Sequence, residues 1–194
     1  MITYIIISFL MMVTPGPGVL SLAGVGAGFG WKVGMMYLIG LFFGTNGVAL
    51  LVVLGFKQFL FEIDGVEITF LLLSLSYLSF LSWRIATSDN KTGFKQSLKA
   101  PRLYEGIFLQ FINPKAWSIA VTVASGFFPT EENIFIGITF VTITAAVICF
   151  PTISLWALFG SGLRKFVTDI KIKKIIEYLL ALLLVLTGLF ILFK

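Results

Sequence analysis

The chain has no histidine and a single cysteine, and only 12% of its 194 residues are charged. Without histidine, zinc-dependent membrane proteolysis, haem-bearing spans and histidine-based serine catalysis lose their usual side chains together. The lone Cys149 lies in an apolar run, so there is no internal disulfide and no thiol relay of the kind that needs a cysteine pair. Acids are missing where a membrane protein would use them. All nine carboxylates, from Glu62 to Glu177, fall in loops or at the ends of apolar runs, which leaves no carrier for a proton relay through the centre of a span. Lacking histidine, paired cysteine and buried carboxylate, the chain offers poor ligands for divalent metals, and no metal or cofactor is expected.

What is abundant is apolar surface, with 58% hydrophobic residues and a mean hydropathy of +1.04. Such a chain lies outside the soluble globular class and reads as one all-α integral membrane domain over residues 1–194, with the lipid bilayer as its surroundings. The net charge of +5 does not point to nucleic acid, because the basic residues stand in short loops beside apolar runs, where orientation in the bilayer explains them. No positive segment precedes the first apolar run, so the expectation is a retained span and not a cleaved signal peptide.

About twenty apolar residues cross a bilayer. Six segments meet or approach that length, at roughly 3 to 26, 34 to 56, 67 to 87, 105 to 128, 134 to 159 and 173 to 193. The third and sixth have the shortest charge-free cores, with Arg84 and Lys174 placed to snorkel to the interface, so five spans is the fallback. Eleven of the fourteen basic residues lie in the odd loops, while the even loops are acidic apart from Lys57. That asymmetry puts the odd loops in the cytoplasm and both termini outside. The polar stretch 88 to 104 is then a cytoplasmic linker between halves 1–87 and 105–194. Three spans per half is an odd number, so the halves insert with opposite orientation, as two inverted three-helix repeats.

Helix breakers mark corresponding places in the two halves. Pro15 and Pro17 interrupt the uncharged run from Met1 to Trp31, and Pro114 interrupts the fourth span, so helices 1 and 4 are expected to be broken at proline. The segments Phe9 to Pro15 and Phe108 to Pro114 can be laid on one another with few identities but coincident breaks. Exposed backbone at membrane depth survives only beside protein or a water-filled cavity, and paired breaks of this kind point to a transporter site near the midplane. Thr14-Pro15 and Asn113-Pro114 each read as an N-cap followed by proline at the first helical position. Amides of Gly16, Lys115 and Ala116 would then face an anionic group, and carbonyls of Met11, Val13 and Gln110 an ammonium. A zwitterion would use both. Proline kinks that only shape the helices are the alternative.

Lys115 lies inside the fourth span, at a cost of about 2.5–3.5 kcal/mol for a charge at a helix centre. It either holds a substrate carboxylate or bonds carbonyls liberated at the breaks. Asn46 and Gln110 are costly to leave facing lipid and are expected to line the interior. The expected substrate-binding set is Thr14, Pro15, Gly16, Pro17, Asn46, Gln110, Asn113, Pro114 and Lys115, with Thr45 among the further neutral oxygens nearby. Glycines at four-residue spacing, including Gly40 with Gly44 and Gly26 with Gly30, are expected to let spans one and two approach closely. In the third span Ser74 and its neighbouring serines read as a helix contact first and a cavity lining second.

The Pro15-Gly16-Pro17 run, the glycine-spaced second span and Asn113-Pro114-Lys115-Ala116 together resemble the LysE/RhtB family of bacterial and archaeal amino-acid exporters. The resemblance covers nearly the whole chain in length, span count and motif order. It implies efflux of amino acids or their derivatives across the cytoplasmic membrane, coupled to the proton gradient, often by a homodimer. The sequence departs from the family pattern at Gly18, where asparagine is common, at Thr45, where an acid often stands, and at Ser82, which replaces a glycine. The missing acid argues against a strongly cationic substrate and for a neutral or small amino acid. Two other readings stay open: a metal- or inorganic-ion exporter of the same superfamily, and a membrane enzyme in which Lys115 activates Ser118, three residues on.

Overall fold

Hydrocarbon supplies no water to the backbone, so an apolar run that crosses it must satisfy its own amides and carbonyls, which a helix does. The computed structural model describes residues 2–55, 62–86, 100–127, 134–166 and scattered positions between 171 and 186. Among the described residues there are helices and connectors and no strand. The helices are α1 (Ile2–Val13), α2 (Pro17–Phe29), α3 (Trp31–Val53), α4 (Val66–Ala86), α5 (Leu103–Ile112), α6 (Pro114–Phe127), α7 (Ile134–Thr144) and α8 (Phe150–Phe166). A π-helical turn, Ala145–Cys149, joins α7 to α8 without interruption. Pro151 follows that turn and has no N–H for the carbonyl four residues back, and widening the helix by one residue accommodates the loss.

Three helices are long and apolar enough to cross a membrane: Trp31–Val53, Ile68–Ile85 and Ala146–Arg164. Two bent pairs qualify when each is taken as one span, α1 with α2 at 53° and α5 with α6 at 68°. The described residues therefore hold three to five spans, and the five coincide with the first five sequence segments. The sixth expected segment, 173 to 193, lies largely outside the described residues, as does linker stretch 88–99.

The packing centre is α2, in which every residue from Pro17 to Gly28 is buried. It rests on α3, α4 and α8, while α3 packs most closely on α5. Small residues set these crossings. A Cβ on Gly106 would lie 2.6 Å from the Tyr37 carbonyl oxygen, and one on Gly40 would strike the backbone of Leu103. Gly44 likewise faces Gln110, so the Gly40–Gly44 stripe serves the crossing of α3 with α5 and not that of the first two spans, as its spacing alone had suggested. Gly34 does meet Gly26, 3.5 Å from a Cβ built on Gly34 to the Gly26 Cα. Gly30, at φ 87°, supplies the left-handed turn that separates α2 from α3. Large apolar side chains such as Phe43, Leu50, Leu72 and Leu155 stay exposed on the outer face, where a bilayer would cover them.

Arg84 corrects an expectation. It does not snorkel: it is 4% exposed and ion-paired with Glu105 of α5, with its guanidinium 5.2 Å from the centre of the Phe80 ring. A partner close at hand on α5 makes burial affordable for both charges.

Candidate functional site

The two breaks lie against each other. The Lys115 ammonium, at the start of α6, donates hydrogen bonds to the carbonyl oxygens of Thr14 and Pro15, the latter at 3.4 Å. Gly16 permits this approach, because a Cβ there would stand 2.7 Å from Lys115 Cδ. A cavity of about 50 Å³ opens at the junction, room for about three or four waters. Its polar side is formed by Gly16, Gly18, Thr45, Gln110, Asn113 and Lys115. Its apolar side is formed by Met12, Val19, Ala116, Ile119, Cys149 and Ile153.

The second break is closed by its own side chains. Pro114 takes the first position of α6, and Asn113 Oδ1 accepts the Lys115 amide at 3.1 Å, the N-cap read from the sequence. Asn113 Nδ2 donates to Gln110 Oε1 at 2.9 Å, so one residue caps α6 and fixes the end of α5. The carbonyls released by the break also find partners. That of Gln110 accepts the Asn113 amide, that of Phe111 accepts Trp117 Nε1 at 2.7 Å, and that of Ile112 accepts Ser74 Oγ of α4. Ser74 is thus a helix contact, while nothing in the Trp117 side chain's sequence context signalled its role. The Ala116 amide bonds the Asn113 carbonyl at 3.0 Å. The amides of Lys115 and Ala116 therefore already have acceptors within the break and do not face an anion as expected.

The first break is built differently. Thr14 is not an N-cap, since its hydroxyl turns back to the Leu10 carbonyl, and α2 starts at Pro17 with Gly16 as its N-cap. A residue before proline is pushed out of the α region, so Gly16 before Pro17 is extended, at φ −168° and ψ 175°, and Pro15 cannot open the helix. No side chain caps this end. Gly18 and Val19, the second and third residues of α2, line the cavity, and amides at those positions have no acceptor within the helix. Thr14 and Pro15 are exposed, while Gly16 and Pro17 are buried.

Of the expected set, Gly16, Gln110, Asn113 and Lys115 line the cavity, Thr14 and Pro15 contribute carbonyls, and Pro17 and Pro114 act as first helical residues. Asn46 does not line it. Its Nδ2 bonds the Phe42 carbonyl at 2.8 Å and its Oδ1 is buried without a partner among the described residues, while the neighbouring Thr45 faces the cavity instead. Ser118 donates to the Pro114 carbonyl at 3.0 Å and is not activated by Lys115. Among the described residues no group of three or more histidine, cysteine, aspartate or glutamate side chains is arranged to hold a metal.

Two broken spans that meet at a largely apolar cavity with a half-buried cation at its edge match the arrangement in which broken-helix transporters bind their cargo. The family comparison says which kind. The LysE type translocator family model matches residues 9–194, and the chain belongs to that family. Its members are transporters and not enzymes, exporters of small molecules such as amino acids. No curated protein and no solved structure matches the chain.

Proposed function

We propose that this translocator exports amino acids or their derivatives across the cytoplasmic membrane, binding them between the broken spans, with proton coupling. The observation that carries the reading is the Lys115 ammonium held at the cavity by carbonyls of the opposite break. An ammonium there is a carboxylate receptor in waiting. A substrate carboxylate draws Lys115 away from Thr14 and Pro15, and the substrate ammonium takes over the carbonyls it vacates, so both charges of a zwitterion are matched. Met12, Val19, Ile119 and Ile153 offer the apolar wall for a side chain. The small volume and the absence of an acid among the cavity residues favour a small neutral amino acid over a cationic one.

In this reading the five described spans and the segment 173 to 193 make six, arranged as two inverted three-span repeats with the linker in the cytoplasm and the termini outside. A homodimer is the assembly. The test is transport by purified protein in sealed vesicles, given a panel of labelled amino acids with and without a pH gradient. The reading expects gradient-dependent movement of at least one small neutral amino acid; movement of inorganic ions and of no amino acid would overturn it.

A further inference from the structure

The side-chain amide of Gln110 is oriented by a series of hydrogen bonds that begins at the backbone. The Lys115 amide N–H can only donate, so the Asn113 atom that receives it at 3.1 Å is the oxygen, Oδ1. Asn113 then presents its donor, Nδ2, to Gln110, and the Gln110 atom that meets it at 2.9 Å is again the oxygen, Oε1. What remains is Gln110 Nε2, two N–H groups on a side chain only 7% exposed, with no acceptor among the described residues. A buried donor without an acceptor is costly to keep, and a ligand that accepts from it removes that cost.

That nitrogen faces the start of α2. A Cβ built on Gly18 would lie 3.0 Å from Gln110 Nε2, nearer than to the other atoms of the Gln110 side chain, and both residues line the cavity. The helix brings donors of its own. Pro17 has no N–H, and the first amide of α2 with an acceptor is that of Leu20, bonded to the Gly16 carbonyl at 3.0 Å. The amides between, of Gly18 and Val19, have no acceptor among the described residues, and the N-cap Gly16 has no side chain to supply one. Donors from two different spans therefore meet at one wall of the cavity, at the positive end of a helix dipole. No acid stands among the cavity residues to occupy them.

We propose that Gln110 Nε2 and the amides of Gly18 and Val19 form the fixed seat of the substrate carboxylate, an uncharged cradle to which Lys115 adds the charge. The inference rests on the reading of the chain as an amino-acid exporter, and it narrows the substrate class to molecules with a free carboxylate. The ammonium is a neighbour of the cradle: Lys115 Nζ stands 3.0 Å from a Cβ built on Gly16, two residues before Gly18. A carboxylate has two oxygens and about four acceptor sites, so it can serve the cradle and the ammonium together. A carboxamide offers one oxygen and sets its own N–H groups against donors, and an amine offers no acceptor of this kind. Derivatives altered at the carboxyl end are therefore excluded, while those altered elsewhere are not. Gly18 sets this specificity by having no side chain, because a Cβ there stands against Nε2 and fills the seat.

Two measurements on the purified full chain test it, with two variants. Gln110→Glu keeps the oxygen that meets Asn113 and replaces only Nε2, by an oxygen. Gly18→Ala adds a methyl at a helical position where alanine is favoured over glycine, and so guards against a Gln110→Glu chain that fails to fold. In the first measurement the ligand is propionate, with propionamide and equal ionic strength as controls, and the readout is melting temperature in detergent. Propionate is expected to raise the wild-type value above that in propionamide, and to lose this advantage in both variants. Equal shifts with the two ligands in wild type, or a propionate advantage that survives in either folded variant, overturn the proposal. This result stands even if no amino acid moves in vesicles and the exporter reading fails. In the second, vesicles are given the panel of labelled amino acids, and KM for a transported one is expected to rise at least tenfold in Gln110→Glu and several-fold in Gly18→Ala. A KM equal to wild type in either folded variant overturns the cradle and leaves the exporter reading in place.

Discussion

The two helix breaks share a proline and a position in their spans, yet they are held in opposite ways. The break at Asn113-Pro114 is satisfied by fixed side chains: Asn113 caps α6, Trp117 takes the Phe111 carbonyl and Ser74 takes that of Ile112. The break at Thr14 to Gly16 has no side-chain cap, and its carbonyls depend on a lysine that reaches across from the other. One break is a platform and the other an adaptable partner. In the proposed cycle the platform stays fixed while the Lys115 ammonium leaves the facing carbonyls for a substrate carboxylate and the substrate ammonium takes its place there.

The largest effect that would break this comparison is expected at Lys115. Lys115→Ala removes the charged contact between the breaks, and substrate affinity should fall by about one to two orders of magnitude, the worth of a charge-assisted hydrogen bond at ~1.5–3 kcal/mol. Binding of the transported amino acid to detergent-purified protein checks this, with unchanged membrane insertion as the control. Next comes Asn113→Ala, which uncaps α6 and frees Gln110. It should lower stability by about 1 kcal/mol, read as a reduced melting temperature.

Ser74→Ala probes the same platform from α4. The Ile112 carbonyl loses its partner, and the cost should be about 0.6 kcal/mol, the average found for hydrogen bonds between membrane helices. Unfolding in mild detergent resolves the two platform variants from wild type. The smallest stability change belongs to the adaptable break. Gly16→Ala brings a methyl within 2.7 Å of Lys115 Cδ, a flexible chain that can move aside, so stability should change by less than about 0.5 kcal/mol while substrate affinity shifts several-fold. Stability effects at the second break and affinity effects at the first would sharpen the contrast; the reverse pattern would erase it.

Much of this arrangement is legible in the sequence because proline chemistry is local. Pro114 with Asn113 specifies a cap and a first helical residue whatever surrounds them, and the apolar runs around the five described spans are equally self-evident. The start of α2 was legible too, in the rule that Gly16 before Pro17 avoids the helical region, although Thr14 before Pro15 imitates the Asn113 pattern. What hydropathy does not encode is helix rotation. Asn46 and Thr45 are adjacent, and only packing of α3 on α5 decides that Thr45 reaches the cavity. Nor does a run of apolar residues announce a partner 21 positions away across a polar linker, which is why Arg84 reads as a snorkelling residue and is found paired with Glu105.

A cysteine placed at Ile119, which lines the cavity and is only partly buried, reports on the central claim that substrate binds where the two breaks meet, in a chain whose own buried Cys149 is replaced by serine. A transported amino acid at saturating concentration should slow modification of that cysteine by a small thiol reagent in vesicles, and fail to slow it once Lys115→Ala is added. Equal rates with and without substrate, in a variant that still transports, would contradict binding at this cavity.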